Sequence, residues 1–180
     1  MKPSAERSIR METKRLFLRH FGTSDEEEFK KLIRDKMSDE YAPYDEQFPT
    51  DNDGLAAMLG YFSQSDEFFA VEVKEGSRLI GFIALNRTDD DKVRNLGYCV
   101  HTAYRRRGYA GEAALAVIEY ARNELGVKKL ISGTALINKP SVRLLEKLCF
   151  RQTEISSGSF VNDKDGSPIV FDGASYELIL

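Results

Sequence analysis

The sequence predicts a single α+β domain, with a mixed but mostly antiparallel sheet of about six or seven strands and about four helices on its two faces. Three observations support this class. The first half of the chain combines strand-like segments, two amphipathic helices and a hairpin signal. The second half contains one strand–helix–strand crossover, then a helix and two further strands. The length of 180 residues matches one domain, since a domain usually takes about 100–200 residues.

The first half is predicted to contain four strands and two helices. The strands are residues 15–21, 68–73, 78–85 and 92–100, and the pair around Lys74-Glu75-Gly76-Ser77 forms a hairpin. One helix runs from about 25 to 35, after Thr23, Ser24 and Asp25, and the other follows Asp51-Asn52-Asp53. Both helices therefore begin at residues whose side-chain oxygens accept bonds from free backbone N–H groups.

The second half is predicted to alternate helices and strands. Its elements are a helix over 111–125 ended by Gly126, a strand over 130–136, a helix over 139–148 capped by Asn138, and strands over 150–161 and 169–180. Pro140 fits the first turn of its helix because that turn lacks partners for its N–H groups. Residues 1–11 are interpreted as an N-terminal extension, and 12–180 as the single domain.

The composition excludes several classes of protein. The formal net charge is −3, so no excess of positive charge points to nucleic acid or an anionic membrane as a partner. No apolar segment approaches the roughly 18 residues that cross a bilayer, and residues 1–10 lack the apolar core of a signal peptide. Two cysteines are too few for a disulfide framework and suit a reducing compartment. We therefore expect a cytoplasmic protein, either a monomer or a homodimer.

A basic loop with small residues separates strand 92–100 from helix 111–125. It contains Arg105, Arg106, Arg107, Gly108, Tyr109, Ala110 and Gly111. The first N–H groups of a helix lack internal partners and lie at the positive end of its dipole, so they attract anions. Small residues let a phosphate approach the backbone, and arginines add positive charge. The loop lacks the glycine spacing of a dinucleotide fingerprint and the Gly-Lys-Ser/Thr of a Walker loop. We expect it to bind an anion, with a pyrophosphate as the first choice.

Three motifs of the chain resemble motifs of the GCN5-related N-acetyltransferases (GNAT). Arg105-x-x-Gly108-x-Ala110 resembles motif A of that family. Asn138-Lys-Pro-Ser-Val-Arg-Leu-Leu-Glu-Lys-Leu-Cys-Phe150 resembles its N-x-x-S-x-x-L-L-E-K-L-G-F segment. Glu12-Thr-Lys-Arg-Leu-Phe-Leu-Arg19 is similar to the E-T-x-R-L-x-L-R opening of the RimJ/RimL-type branch, which acetylates ribosomal-protein N-termini. The resemblance covers about residues 12–180.

The resemblance implies an enzyme that moves an acetyl group directly from acetyl-CoA to a primary amine in a ternary complex. The amine would be a protein N-terminus or a small molecule. The resemblance also implies a sheet that splays at its fourth predicted strand. The loop from Arg105 to Gly111 would hold the CoA pyrophosphate, chiefly through the backbones of 106–111.

The resemblance also implies roles for residues outside the loop. The backbones of Cys99 and Val100 would pair with the pantetheine arm, and Asn138 and Ser141 would line its thioester end. Ser141 and Tyr98 are the candidate catalytic residues. Ser141 would hydrogen-bond the departing sulfur, and Tyr98 would face either the acetyl group or the core.

The chain departs from the family pattern at three positions. Leu145 stands where many relatives have a tyrosine that acts as general acid, Asn95 stands where many have a glutamate, and Cys149 replaces a glycine. Two alternatives to an enzyme therefore stay open: a non-catalytic acyl-CoA-binding sensor with the same fold, and a module that binds ATP through the basic loop. Cys99 is expected to be a buried residue rather than a nucleophile. The two histidines are isolated, so no metal site is expected.

The segment 35–53, called here the acidic segment, predicts the charge of the acceptor. It has seven carboxylates against one lysine, with Tyr41, Tyr44 and Phe48 interleaved. By the resemblance, it lies on the acceptor side of the cleft. Acidic groups with aromatic faces attract cations, so we expect a cationic amine acceptor. The alternative is a solvated acidic loop without a ligand.

Overall fold

Eight strands and four helices make up the regular structure of residues 9–180, the part of the chain that the computed structural model describes. The strands are β1 Ile9–Glu12, β2 Leu16–Arg19, β3 Phe68–Val73, β4 Arg78–Arg87, β5 Val93–Val100, β6 Lys129–Ala135, β7 Arg151–Gly158 and β8 Phe171–Ile179. The helices are α1 Glu26–Met37, α2 Asn52–Gln64, α3 Tyr109–Asn123 and α4 Lys139–Lys147. Among these residues, no helix is long and apolar enough to cross a membrane.

One sheet contains all eight strands, in the order β1-β2-β3-β4-β5-β6-β8-β7. Only β5 and β6 run parallel, which confirms the predicted α+β class with a mixed, mostly antiparallel sheet. The sheet has one strand more than predicted. β1 begins within the segment interpreted as an extension and pairs with β2 through Met11 and Leu18. Its four residues contain only two alternating apolar side chains, a pattern too short to separate a strand from coil.

The sheet splays between β5 and β6, as the family resemblance implies. The two strands pair only over Val93–Asn95 and Lys129–Ile131, whereas β5 stays paired with β4 as far as Val100. The open side of β5 beyond Asn95 therefore has no neighbouring strand, and a cleft forms there.

Two apolar cores lie on opposite faces of the sheet. On one face, α3 and α4 pack through Ala114, Val117 and Leu145 against the central strands. On the other face, α1 and α2 contribute Phe29 and Phe62 to an aromatic cluster. The caps predicted for α2 and α4 are confirmed, because Asp51 accepts a bond from the N–H of Gly54 (2.8 Å) and Asn138 from that of Ser141 (3.2 Å).

A buried ion network joins β2, β3 and the start of α1. The guanidinium of Arg19 donates to both carboxylate oxygens of Asp25 (2.8 and 2.7 Å) and to Glu72 (2.6 Å). All three residues are buried. Asp25 therefore binds Arg19 and the N–H of Gly22 instead of capping α1, contrary to its predicted role. The network gives a structural role to Arg19, the last arginine of the opening motif.

Candidate active site

A cleft of about 1440 Å³ opens where β5 and β6 separate. Its walls come from the basic loop, the first turn of α4, the acidic segment and the β7–β8 hairpin. Eleven of the twelve predicted site residues line it: Tyr98, Cys99, Val100, Arg105, Arg106, Gly108, Tyr109, Ala110, Gly111, Asn138 and Ser141. The twelfth, Arg107, lies outside, with its guanidinium over the ring of Tyr104 at 5.7 Å.

The basic loop ends in a backbone geometry that favours glycine. Gly108 has φ +80° and is the N-cap of α3. The first helical hydrogen bond runs from the N–H of Glu112 to the carbonyl of Gly108 (3.0 Å). The N–H groups of Tyr109, Ala110 and Gly111 precede that bond, so they are the groups a helix N-terminus offers to an anion.

The three arginines of the loop have different environments. Arg105 donates to the carbonyl of Val100 (3.2 Å) and pairs with Asp39, so it connects the loop to the acidic segment. Arg107 stacks on Tyr104. Arg106 lines the cleft, and its guanidinium has no partner in the described part of the chain. Of the three guanidinium groups, that of Arg106 is therefore the one available to an anion in the cleft.

Arg15 on the N-terminal side of β2 braces the basic loop, a contact that the sequence did not reveal. Its guanidinium donates to the carbonyl of Arg107 (2.9 Å) and to Glu112 (2.7 Å), and it lies over the ring of Tyr109 at 4.4 Å. Partial burial alone would raise the pKa of Glu112, but bonds from Thr13 and Arg15 outweigh it and hold that pKa below its usual range. The opening motif, which contains Thr13 and Arg15, marks these residues in the sequence. The spacing of the motif, however, does not show that they contact the basic loop.

The two predicted catalytic side chains meet in the cleft although they are 43 residues apart in sequence. A hydrogen bond of 2.7 Å joins the hydroxyls of Tyr98 and Ser141. Burial raises the pKa of Tyr98 to about 12, against the opposing effect of the bond with Ser141. Its phenol therefore carries its proton at neutral pH and can donate it. The ring of Tyr98 packs against the core while its hydroxyl reaches the cleft.

The register of β4 and β5 determines which backbone groups face the open side. The N–H of His101 donates to the carbonyl of Ile80 on β4 (2.9 Å). Since the direction alternates along an antiparallel strand, Cys99 also directs its backbone to β4, where it is paired with Phe82. Tyr98 and Val100 face the gap, in agreement with the bond from Arg105 to the Val100 carbonyl. Of the two backbones expected on the open side, that of Val100 therefore lies there, whereas that of Cys99 faces β4 and Tyr98 takes its place.

Two further residues have no direct role in the chemistry of the cleft. Burial raises the pKa of the Cys99 thiol to about 12, so this group carries no thiolate at neutral pH. Leu145 is fully buried in the core, and its neighbour Leu144 lines the cleft instead. Among residues 9–180, no group of three or more histidine, cysteine or carboxylate side chains is arranged to hold a metal ion.

Much of the negative charge of the acidic segment is engaged in contacts within the protein. Asp35 accepts bonds from Thr102, Asp39 pairs with Arg105, and Asp45 pairs with Lys36 at 2.7 Å. Glu40 and Glu46 line the cleft with exposed side chains, and neither carboxylate has a partner in the described part of the chain. Within the acidic segment, these two glutamates are the cleft-lining charges available to a ligand.

Comparisons with known proteins agree with this geometry. Residues 15–151 match the acetyltransferase (GNAT) domain family. An uncharacterized N-acetyltransferase of Bacillus subtilis, YnaD, is 29% identical over 140 residues, which cover 78% of this chain and 81% of YnaD.

Two solved structures share the fold. RimL, the ribosomal L7/L12 alpha-N-protein acetyltransferase, has a TM-score of 0.81 at 14% identity, with 100% of this chain and 98% of RimL covered. The microcin C7 self-immunity acetyltransferase MccE, solved with acetyl-CoA and AMP, has a TM-score of 0.75 at 14% identity, with coverage of 93% and 94%.

Proposed function

Because the chain belongs to the GNAT acetyltransferase family, we propose that it transfers an acetyl group from acetyl-CoA to a primary amine in a ternary complex. The observation that carries the proposal is the single cleft that contains both the N-terminus of α3 and the Tyr98–Ser141 pair. A pyrophosphate at the first and a thioester at the second would place the two ends of acetyl-CoA.

Named groups of the chain would hold the donor. The N–H groups of 109–111 and the guanidinium of Arg106 would bind the pyrophosphate. The backbones of Tyr98 and Val100 would bond the amide groups of the pantetheine arm on the open side of β5. Asn138 would fix the first turn of α4 and so the position of Ser141. The acetyl-CoA bound by MccE supports this choice of donor.

The chemical step would be direct attack of the amine on the thioester. The amine nitrogen forms a bond to the carbonyl carbon, and a backbone N–H on the open side of β5 stabilises the oxyanion. The C–S bond then breaks, the sulfur takes a proton from Ser141, Ser141 recovers one from Tyr98, and the Tyr98 phenolate regains its proton from water. The proton lost by the amine passes to water. An acetyl-cysteine intermediate is not part of the proposal, because the Cys99 thiol stays protonated.

Removing the proposed acid should slow turnover without changing donor binding. A thiol leaves readily because its pKa is about 8.5. Tyr98→Phe should therefore lower kcat by about tenfold, a smaller loss than the removal of a general acid usually causes. Ser141→Ala should have a similar effect, and the double variant should add little, since the two hydroxyls act as one unit. The Kd for acetyl-CoA, measured by calorimetry, should stay constant. Unchanged kcat in both single variants would remove them from the mechanism.

The pH profile provides a second test of Tyr98. Its raised pKa, about 12, means that the phenol stays protonated until the pH approaches that value. Its ionisation should therefore cause no loss of kcat on the alkaline side below about pH 10. An alkaline loss below pH 10 that disappears in Tyr98→Phe would contradict this assignment.

We further propose that the acceptor is cationic, either a protein N-terminus or a small amine, and that the reaction takes place in the cytoplasm. Glu40 and Glu46 support the first point, because their free carboxylates line the cleft. RimL, a structural neighbour, is named for ribosomal L7/L12. The two free thiols support the second point.

Neutralising Glu46 should weaken acceptor binding. We expect Glu46→Gln to raise the KM for a basic peptide about two- to fivefold at low salt, an effect that should fade at 0.5 M salt because exposed charges are screened. Glu75→Gln, in the exposed turn between β3 and β4, is the matched control. A KM that responds equally to both substitutions, or to neither, would favour a solvated loop.

The nature of the donor can be tested by competition. Acetyl-CoA should raise the melting temperature of the protein, and ATP at equal concentration should do so far less, because ATP lacks the pantetheine arm that reaches Tyr98 and Ser141. Equal stabilisation by ATP and acetyl-CoA would support a nucleotide-binding module instead.

A further inference from the structure

We propose that the side-chain amides of Asn86 and Asn95 bind the amino group of the acceptor and present its lone pair to the thioester. This inference rests on the proposed function and assigns two residues to the acceptor. Both line the cleft, and they are direct partners across β4 and β5. Their side chains leave the same face of the sheet, about 5 Å apart at Cβ.

The amide oxygen of Asn86 is the observation that leads to this inference. It is buried and has no hydrogen-bond partner among the described residues. A buried polar atom without a partner destabilises a fold, so native proteins rarely contain one outside functional sites. Asn95 is exposed, and its side-chain amide has no partner among those residues, so it is free to bond a ligand. A ligand with N–H donors would satisfy both amides.

The neighbours of the pair leave space for such a ligand. On β4 and β5, the next cross-strand pair on the same face is Ala84 and Gly97, two small residues that line the cleft, with Ala84 buried at the edge of the core below α1 and α2. The following pair, Phe82 and Cys99, belongs to the core below α1 and α2. Both asparagines therefore face the side of the sheet that carries the acidic segment.

The opposite face carries the proposed acid. Tyr98 is paired with Ile83, which lies in the core below α3 and α4. An amine held by Asn86 and Asn95 and a sulfur near Tyr98 and Ser141 would therefore lie on opposite sides of β5. A thioester in the gap beside β5 could then be approached by the nitrogen from one face of the sheet, while the proposed acid reaches the sulfur from the other.

A cleft-lining carboxylate bonded to the residue next to Asn86 in the sequence is already engaged. Glu67, which also lines the cleft, accepts bonds from the side chain and the backbone N–H of Arg87 (2.9 and 3.2 Å). Neutral amides are therefore the free acceptors beside the cleft at this point. Amide oxygens orient N–H groups but cannot remove a proton, so the pair is assigned to binding and positioning of the amine.

The pair also predicts selectivity among amines. A neutral primary amine has two N–H bonds and one lone pair, so two amide oxygens can hold both N–H bonds while the lone pair points at the thioester. A secondary amine has one N–H bond and would leave one amide unsatisfied. Primary amines should therefore react in preference to their N-methyl derivatives.

The test uses Asn86→Leu, which has similar volume and no polar atoms. The probes are ethylamine, N-methylethylamine and a short basic peptide with a free α-amino group, each with saturating acetyl-CoA. We expect kcat/KM for ethylamine and the peptide to fall about tenfold, the value of one lost hydrogen bond, and the preference for ethylamine over N-methylethylamine to shrink. Asn123→Leu, at the exposed end of α3, is the control.

Two further measurements separate binding from stability. The melting temperature of Asn86→Leu should be equal to or above that of the wild type, because no internal hydrogen bond is lost, and the Kd for acetyl-CoA should not change. Unchanged kinetics in this variant, or a marked loss of melting temperature, would overturn the inference alone. A wild type that binds acetyl-CoA but acetylates none of the probes would overturn the proposed function, and this inference with it.

Discussion

Replacing Gly108 with glutamate is expected to abolish acetyl-CoA binding. A side chain at this position must adopt φ +80°, and its Cβ would lie 3.4 Å from Nη2 of Arg15, so the new carboxylate would compete with Glu112 for the guanidinium that braces the basic loop. A negative charge there would repel the pyrophosphate at short range, where screening by salt is weak. We expect the Kd to rise by at least 100-fold, measured by calorimetry.

Gly76→Glu is the matched control for this experiment. Gly76 has φ +81° in the turn between β3 and β4, and no residue of that turn lines the cleft, so the substitution imposes the same kind of backbone strain outside the basic loop. It should lower the melting temperature without changing the Kd. Wild-type affinity in a folded Gly108→Glu protein would show that the loop does not hold the pyrophosphate.

Replacing Arg19 with methionine is expected to cause the largest loss of stability. The substitution leaves the carboxylates of Asp25 and Glu72 buried without their cation. Breaking a buried ion network in this way costs about 3–5 kcal/mol, a large part of the roughly 5–15 kcal/mol that stabilises a domain. Urea denaturation would measure the change in the free energy of unfolding.

Arg87→Met is the control for the buried network. Arg87 also bonds two carboxylates, those of Asp66 and Glu67, each at 2.9 Å, but it is exposed. Exposed ion pairs contribute little because water already solvates both charges. If Arg87→Met destabilised the protein as much as Arg19→Met, burial of the network would not be the source of its strength.

Local signals in the sequence were sufficient for most of the fold. Asp51 and Asn138 are helix caps because the bonds they accept lie within the next turn, so short-range chemistry defines them. The splay between β5 and β6 was predicted only through the family resemblance, since no residue pattern within either strand specifies where pairing stops. β1 was missed because its stability comes from pairing with β2 and not from its own short pattern.

The site depended on contacts that sequence patterns do not contain. The bond between Tyr98 and Ser141 joins β5 to α4, and the contacts of Arg15 with Arg107 and Glu112 join the start of β2 to α3. Both arise from tertiary packing. The direction of the Cys99 backbone was missed for another reason: it depends on the phase of pairing with β4, and a change of one residue reverses it.

Release of CoA thiol from acetyl-CoA in the presence of a primary amine tests the acetyltransferase function most directly. The assay should use Cys149→Ser protein, because the exposed Cys149 thiol would react with the same colour reagent. We expect thiol release that requires both the protein and the amine, matches the amount of acetylated amine found by mass spectrometry, and disappears in Gly108→Glu. A protein that binds acetyl-CoA through an intact Gly108 but releases no thiol with any amine of the panel would contradict the acetyltransferase function and identify an acyl-CoA-binding sensor.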